Sequence, residues 1–425
     1  LLSTTAITVR ADDWPGWMGP FRDNVWRETG ILDRFPDDGA KILWRRPVAG
    51  GYAGPAVADG CVYVFDFQLD TPNDDAPDKP RAMTGVERLH CFDAMTGKTR
   101  WVYDYAVTYK LAYPCGPRCT PLVADGRVYL LGAMGRLTCL DAAGGKPIWS
   151  KELPAAYDAK VPTWGYAAHP LLDGKQLIVL AGGDGSHVVA LDKSSGEEIW
   201  HSQSQPEPGY APPVIVEAGG RRQLIVAGPR AVRGLDPATG KRFWSQPYDA
   251  TSGCVIMQPM KIGDYLFVGG HEMKSLLLKF DAKTPTVTEV WKDKRGHAIS
   301  PINVQPVADG LTVYGFNEGG EFLAFDLVSG KRLWSTAQPL GDETLWSGTC
   351  HIVRQDDRHW LFAETGELIL GRLSPDGFTQ LARAKVIEPT GKTHGRHVAW
   401  APPAFANRKC YVRNDKEIIG VDLAK

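Results

Sequence analysis

Residues able to do chemistry are plentiful in this chain, but few stand at a spacing that commits them to it. His394-Gly395-Arg396-His397 sets two imidazoles three residues apart in a glycine-containing loop, half of a metal site at most. Cys115 and Cys119 enclose Gly116-Pro117-Arg118. That spacing allows a small disulfide loop or half of a metal site, and no second Cys/His pair lies nearby to complete one. The other six cysteines are scattered and read as structural or free thiols. Asp70, Asp74, Asp75 and Asp78 fall among prolines between Asp66 and Gly85, at a spacing that is not an EF-hand, so the stretch reads as a solvated loop. There is no Gly-x-Ser-x-Gly elbow, no Gly-x-x-x-x-Gly-Lys-Ser/Thr phosphate loop and no His-Glu-x-x-His zinc motif. Any chemistry must therefore be assembled from distant loops.

What would assemble them is a repeat. Asp, then Gly four residues on, then Trp eight residues on, occurs at Asp93/Gly97/Trp101, Asp141/Gly145/Trp149, Asp192/Gly196/Trp200, Asp236/Gly240/Trp244 and Asp326/Gly330/Trp334. The aspartate bonds its own backbone two residues on and the glycine takes φ > 0 without steric cost, so each copy is a tight turn between strands. Weaker copies stand at Asp281 with Trp291, at Ser374-Pro375-Asp376-Gly377, and at Asp422, where the motif begins and stops. The mean spacing of about 47 residues is that of four short strands and their turns, one propeller blade. The last unit lacks a fourth strand, and Lys41-Ile42-Leu43-Trp44 supplies one from the other end of the chain. The sequence thus predicts an all-β, eight-bladed β-propeller of four-stranded antiparallel blades, closed by an N-terminal outer strand that completes the C-terminal blade. The propeller domain is expected over 41–425, with 12–40, carrying Trp14-Pro15-Gly16-Trp17-Met18-Gly19-Pro20 and Trp26, as an extended cap packed over the ring. Residues 1–11 read as the remnant of a signal peptide, with Val9 and Ala11 before a cut, which makes the mature chain an exported, periplasmic or extracellular protein.

These units resemble the pyrroloquinoline-quinone-type propeller repeat, whose superfamily includes quinoprotein alcohol dehydrogenases and the BamB-like outer-membrane assembly factors. The match runs from about Trp14 to Lys425, and Trp164-Gly165-Tyr166 and Trp400-Ala401-Pro402-Pro403 are similar to exported propellers of planctomycete-type bacteria. The resemblance implies the fold far more than an activity. It also implies that the cassette tryptophans pack between blades, as a large aromatic at a fixed strand position should. Quinoprotein dehydrogenases of this superfamily hold the quinone between a tryptophan and a disulfide of adjacent cysteines, bind calcium through acidic and amide side chains, and use an aspartate as base. Here no two cysteines are adjacent and no Cys-x-x-Cys-His haem site exists. No cofactor is therefore expected, with pyrroloquinoline quinone and calcium as the alternative.

Propeller ligands meet the ring at its central mouth, on the loops joining each outer strand to the next inner one. The inner strands open at Pro55, Pro121, Pro170, Pro213, Pro259, Pro306 and Pro403, with His351 in the seventh unit. Counting back from these marks Arg118, His169, Tyr210, Gln258, Asn303, Gln305 and Trp400 as mouth candidates. Trp164, His297, Trp346, His394 and His397 lie on the same connections. Convergent polar groups with aromatics suit a peptide, a glycan or a small acid. The 48 Lys and Arg against 49 Asp and Glu argue against nucleic acid or a polybasic membrane patch, and no apolar run is long enough to span a bilayer. The expected function is a non-catalytic, monomeric exported propeller that binds a protein or peptide partner of the cell envelope at its mouth or a blade edge. The alternatives are a polysaccharide-binding propeller and a quinone-dependent dehydrogenase.

Overall fold

A computed structural model of the chain describes residues 13–70, 81–113, 115–272, 274–293 and 298–425. Residues 1–11, where the signal remnant is expected, lie outside the described residues, as does His297. Among the described residues the chain forms eight four-stranded antiparallel sheets, each ordered from an inner to an outer strand. The inner strands are Ala56–Ala58, Leu122–Ala124, Leu171–Asp173, Val214–Ala218, Met260–Ile262, Val307–Asp309, Cys350–Gln355 and Ala404–Ala406, and we number blades 1 to 8 in that order. All but the seventh begin at the residue after the proline read from the sequence. The inner strands are short because they converge on the axis. The second and third strands of each blade are buried on both faces and read as nearly continuous apolar runs, such as Gln176–Leu180 and Val188–Asp192.

The ring closes as expected. The strand Ile42–Pro47 pairs antiparallel with Glu417–Asp422, Trp44 standing opposite Gly420, and becomes the outer strand of blade 8. The Trp44 indole N–H then donates to the Ala94 carbonyl of blade 1 at 3.1 Å. The same bond runs from Trp101 to Ala142, from Trp149 to Lys193, from Trp291 to Leu327 and from Trp334 to Ser374, each reaching the following blade. Trp200 and Trp244 bond instead to Gln176 and Gln223 of their own blades. In the turn the aspartate accepts as predicted: the Asp93 carboxylate takes the Met95 and Thr96 amides at 3.1 and 2.9 Å. The cassette is a latch between neighbours.

The Asp66–Gly85 stretch departs from expectation. Residues 71–80 are outside the described residues, but their flanks are not loop: Cys61–Leu69 pairs with Arg81–Asp93 in continuous register from Cys61 opposite Asp93 to Leu69 opposite Gly85. Phe65, Phe67 and Leu69 alternate with Asp66 and Gln68, a strand pattern that the acidic composition hides. Asp66 is wholly buried and accepts from Arg88 Nε at 2.9 Å and from the Ala49 amide at 2.6 Å, with His90 at 3.1 Å. Burial works against the charge, but these bonds hold the carboxyl down at about 2. Blade 1 consequently has the longest strands of the ring, with an outer strand of 13 residues, Thr99–Leu111.

Candidate functional site: a filled axis under an aromatic mouth

The N-terminal segment, expected over the ring, runs into it. Trp14 exchanges both backbone hydrogen bonds with Val57 of blade 1 at 2.8 Å. Pro15 accepts from the Val123 amide of blade 2 at 2.7 Å. Trp17 stacks on the His169 ring at 4.5 Å, ahead of the inner strand of blade 3. Arg22 donates to the Pro170 carbonyl at 2.7 Å, to the Pro213 carbonyl at 3.4 Å and to Gln258 Oε1 at 3.3 Å, bridging blades 3, 4 and 5. The chain leaves beside blade 7, where Asn24 accepts from Arg354 and the Trp26 amide donates to the Arg354 carbonyl at 2.7 Å. Trp26 finally packs on Phe405 of blade 8 at 5.0 Å. Entry at Asp13, near Asp59, and exit at Glu28, near Arg408, both lie at turns between inner and second strands. The segment therefore enters and leaves through one face of the ring.

This insertion engages four of the predicted mouth residues. His169 faces Trp17 and Arg22, and burial followed by the Arg22 charge holds its pKa well below the ordinary histidine value. Neither of its ring nitrogens has a hydrogen-bond partner. Gln305 brackets the Gln258 backbone, accepting from its N–H at 2.9 Å and donating to its C=O at 3.1 Å, while the Gln258 side chain meets Arg22. Asn303 donates to Thr349 Oγ1 at 3.3 Å. Asn303 and Gln305 line, with Trp17 and Met18, the cavity of about 40 Å³ left beside the segment.

The opposite face carries the mouth proper. The connections entering blades 1 and 2 are zipped together: the Tyr52 and Ala53 amides both donate to the Pro117 carbonyl, at 2.9 and 2.8 Å. A Cβ at Gly50 would meet the Cys115 carbonyl oxygen at 2.4 Å, so only glycine allows this approach. Arg118 is held within the loops, donating to the carbonyls of Trp164 at 2.7 Å, Tyr113 at 2.6 Å and Ala112 at 3.0 Å, with a further bond to Gly116. Its guanidinium lies 5.1 Å from the Tyr52 ring centre. Trp400 contacts Tyr52 and Tyr113, each at 6.2 Å, and Trp164 meets Tyr210 edge-on at 5.7 Å. Arg118, Trp164, Tyr210 and Trp400 thus come together, with Tyr52 and Tyr113 added by the structure. Cys115 and Cys119 are free thiols; the half-buried Asp415 accepts from the Gly51 amide at 3.3 Å, and loss of solvent pushes its carboxyl up.

A second sector rises over blades 6 to 8. The buried Glu364 accepts from Arg396 Nε at 2.6 Å and from the Trp400 indole N–H at 2.9 Å, and Arg396 donates to the Trp346 carbonyl at 2.9 Å. Trp346 is 51% exposed, and the His271 ring lies 6.5 Å from its indole. His394 and His397 belong to a two-stranded hairpin between blades 7 and 8, Gly391–Thr393 with Arg396–Val398. Both are exposed, His394 in its turn and His397 opposite Lys392. Glu364, Arg396, Trp17 and Arg22 were not marked from the sequence. The Trp14–Pro20 run was a signal for the first part of the segment; nothing in the sequence points to Arg22.

A quinone with calcium is what the superfamily would place on this axis, and the residues do not fit it. The axis at the level of the inner strands is occupied by Trp17 and Arg22, and the donors of Arg118 at the mouth are engaged by carbonyls. No group of three His, Cys, Asp or Glu among the described residues could hold a metal ion.

Comparison with known proteins separates fold from activity. BamB from Moraxella catarrhalis superposes with a TM-score of 0.54 at 16% identity, over 84% of this chain and 99% of its own. Quinohemoprotein alcohol dehydrogenase from Comamonas testosteroni gives 0.62 at 14% identity, over 99% of this chain and 82% of its own. The computationally designed Ika8 protein gives 0.56 at 10% identity, over 90% and 100%. Likeness at these identities is likeness of fold. No curated protein sequence matches the chain. A family model described as outer membrane protein assembly factor BamB matches residues 29–134 and 87–336, well over half of the sequence. The chain belongs to the BamB-like family of propeller-repeat proteins.

Proposed function

We propose that this chain is a non-catalytic, exported propeller that binds a protein or peptide partner on its mouth face. The observation that carries the reading is the character of that face: with the axis filled from below, what it offers is an aromatic surface. Tyr52, Tyr113, Trp164 and Trp400 are each half-buried there, and Trp346 stands out from it. A large aromatic on a rigid mount is the kind of residue that dominates protein interfaces. The Glu364–Arg396 bracket is such a mount, tying the Trp346 backbone and the Trp400 indole to one buried carboxylate. The family match to an outer-membrane assembly factor is in keeping with both export and a protein partner. Among the described residues no helix is long and apolar enough to cross a membrane.

The test compares native chain and Trp346→Ala in pull-downs from an envelope extract. A reproducible partner whose affinity falls at least tenfold in the variant, with an unchanged unfolding midpoint, is the expected result. No reproducible partner, or the same partners held equally by the variant, would sink the reading.

A further inference from the structure

We infer that the segment from Asp13 to Glu28 is the resident ligand of the propeller axis, in the place where the quinoprotein relatives would carry a diffusible cofactor. The inference is independent of what the mouth face binds. Three observations carry it.

The first is connectivity. Within this short stretch the chain touches inner strands, or the residues leading into them, of blades 1, 2, 3, 4, 5, 7 and 8. Six of these seven blades are reached by hydrogen bonds to backbone groups of the ring or to Gln258. A cofactor in a propeller is recognised by groups converging on the axis, and here those groups converge on the chain's own residues.

The second is charge. Arg22 is half-buried between the blades, and loss of solvent around its guanidinium lowers its pKa to about 10. Its side chain bonds two carbonyls and an amide oxygen, and no carboxylate is among those partners. A cation held this way requires a defined cage of oxygen dipoles, which the ends of blades 3, 4 and 5 supply. His169 completes the cage as a neutral ring stacked on Trp17.

The third is volume. The cavity beside the segment is about 40 Å³. That is room for a few waters, each needing on the order of 10–15 Å³, and far from the roughly 300 Å³ or more of a small-molecule site. The unpartnered Thr120 Oγ1 lines this cavity, a polar wall suited to water.

The experiment uses the full chain. Pyrroloquinoline quinone, with and without calcium, is titrated while tryptophan fluorescence and equilibrium dialysis are recorded. No saturable binding up to 100-fold excess is expected, and one-to-one saturable binding overturns the inference. Hydrogen exchange is followed in parallel. The Trp14 and Trp26 amides, bonded to Val57 and Arg354, should be protected to within about tenfold of the second-strand amides of Val62 and Val128, which lie within the sheets of blades 1 and 2. Exchange of both at the rate of an open chain overturns the inference even if no quinone binds. In Arg22→Ala the protection at Trp26 should drop at least tenfold while that of the outer strands is kept, and Arg22→Lys should not restore it, since one ammonium cannot span three blades. Undiminished protection in Arg22→Ala overturns the role given to Arg22. If Arg22→Ala does not fold, exchange in the native chain still decides.

Discussion

At Gly97 two demands fall on one residue. Its φ of +67° lies in the left-handed region, and a Cβ there would come within 2.7 Å of the Trp44 indole. Gly126, in the turn after the inner strand of blade 2, has nearly the same backbone at φ +70° but nothing within 4 Å of its would-be Cβ. The pair separates backbone strain from latch packing. Gly126→Ala should cost about 1 kcal/mol. Gly97→Ala should cost at least ~2 kcal/mol more, because the ring above it must shift. Urea unfolding of the two variants checks this, and equal midpoint shifts would mean the tryptophan does not rest on the turn. The same contact recurs where Gly145 meets Trp101, Gly196 meets Trp149 and Gly240 meets Trp200. The turn itself was legible from Asp and Gly four apart. The ring filling the space above it was not, because that ring comes from the preceding blade.

Among the elements, the strand Ile42–Pro47 has the largest leverage, since it joins the two ends of the ring. Its exposed ion pairs, Lys41 with Asp422 at 2.9 Å and Arg45 with Glu417 at 2.8 Å, are each worth well under ~1 kcal/mol. Its anchor is Trp44, which is 7% exposed, packed against Tyr411 at 5.8 Å and Phe92 at 6.4 Å. Trp44→Ala should therefore destabilise by ~3–5 kcal/mol. Trp334→Ala, at a half-buried latch between two blades already joined by the chain, should cost less. Equal losses would show that closure adds nothing beyond an ordinary latch. This element could be read from the sequence because a missing strand at one end matched a spare strand at the other. The long strands of blade 1 could not, since Asp and Pro in the middle of the hairpin masked the alternation on either side.

For the molecule as a whole, acid sensitivity follows from histidines buried without charge. Burial sets His187 and His359 at about 4, and His169 is lowered in the same direction. Unfolded, each titrates near 6.5. Below that value the unfolded chain binds protons that the folded chain refuses, so stability is full above pH ~6.5 and falls as pH drops towards 4. His187 and His359 should each remove roughly 3 kcal/mol by the end of that range. Asp66 acts in the same sense only later, its contribution being lost as pH falls from about 4 through 2. Denaturant midpoints from pH 8 to 4 test this: a plateau above 7 and a steady fall below 6.5 are expected, and a flat profile down to pH 4.5 would contradict it. The cause is again long-range, for His187 lies against the Pro208 carbonyl and His359 lies in the sheet of blade 7.

The sequence by itself determined the repeat, the number of blades, seven of the eight inner-strand starts and the closure of the ring, all of which rest on local turn chemistry and period-two patterning repeated often enough to be counted. It also placed Arg118, Trp164, Tyr210 and Trp400 on connections that meet at one mouth. Only the tertiary structure decided that His169, Gln258, Asn303 and Gln305 face the chain's own N-terminal segment, and that Arg22 sits among blades 3, 4 and 5. The Arg22 bonds alone join residues 148 to 236 positions apart. No local propensity encodes them: they exist because eight blades leave a channel of one width, and a segment with a flat ring and a three-sided cation fits its walls.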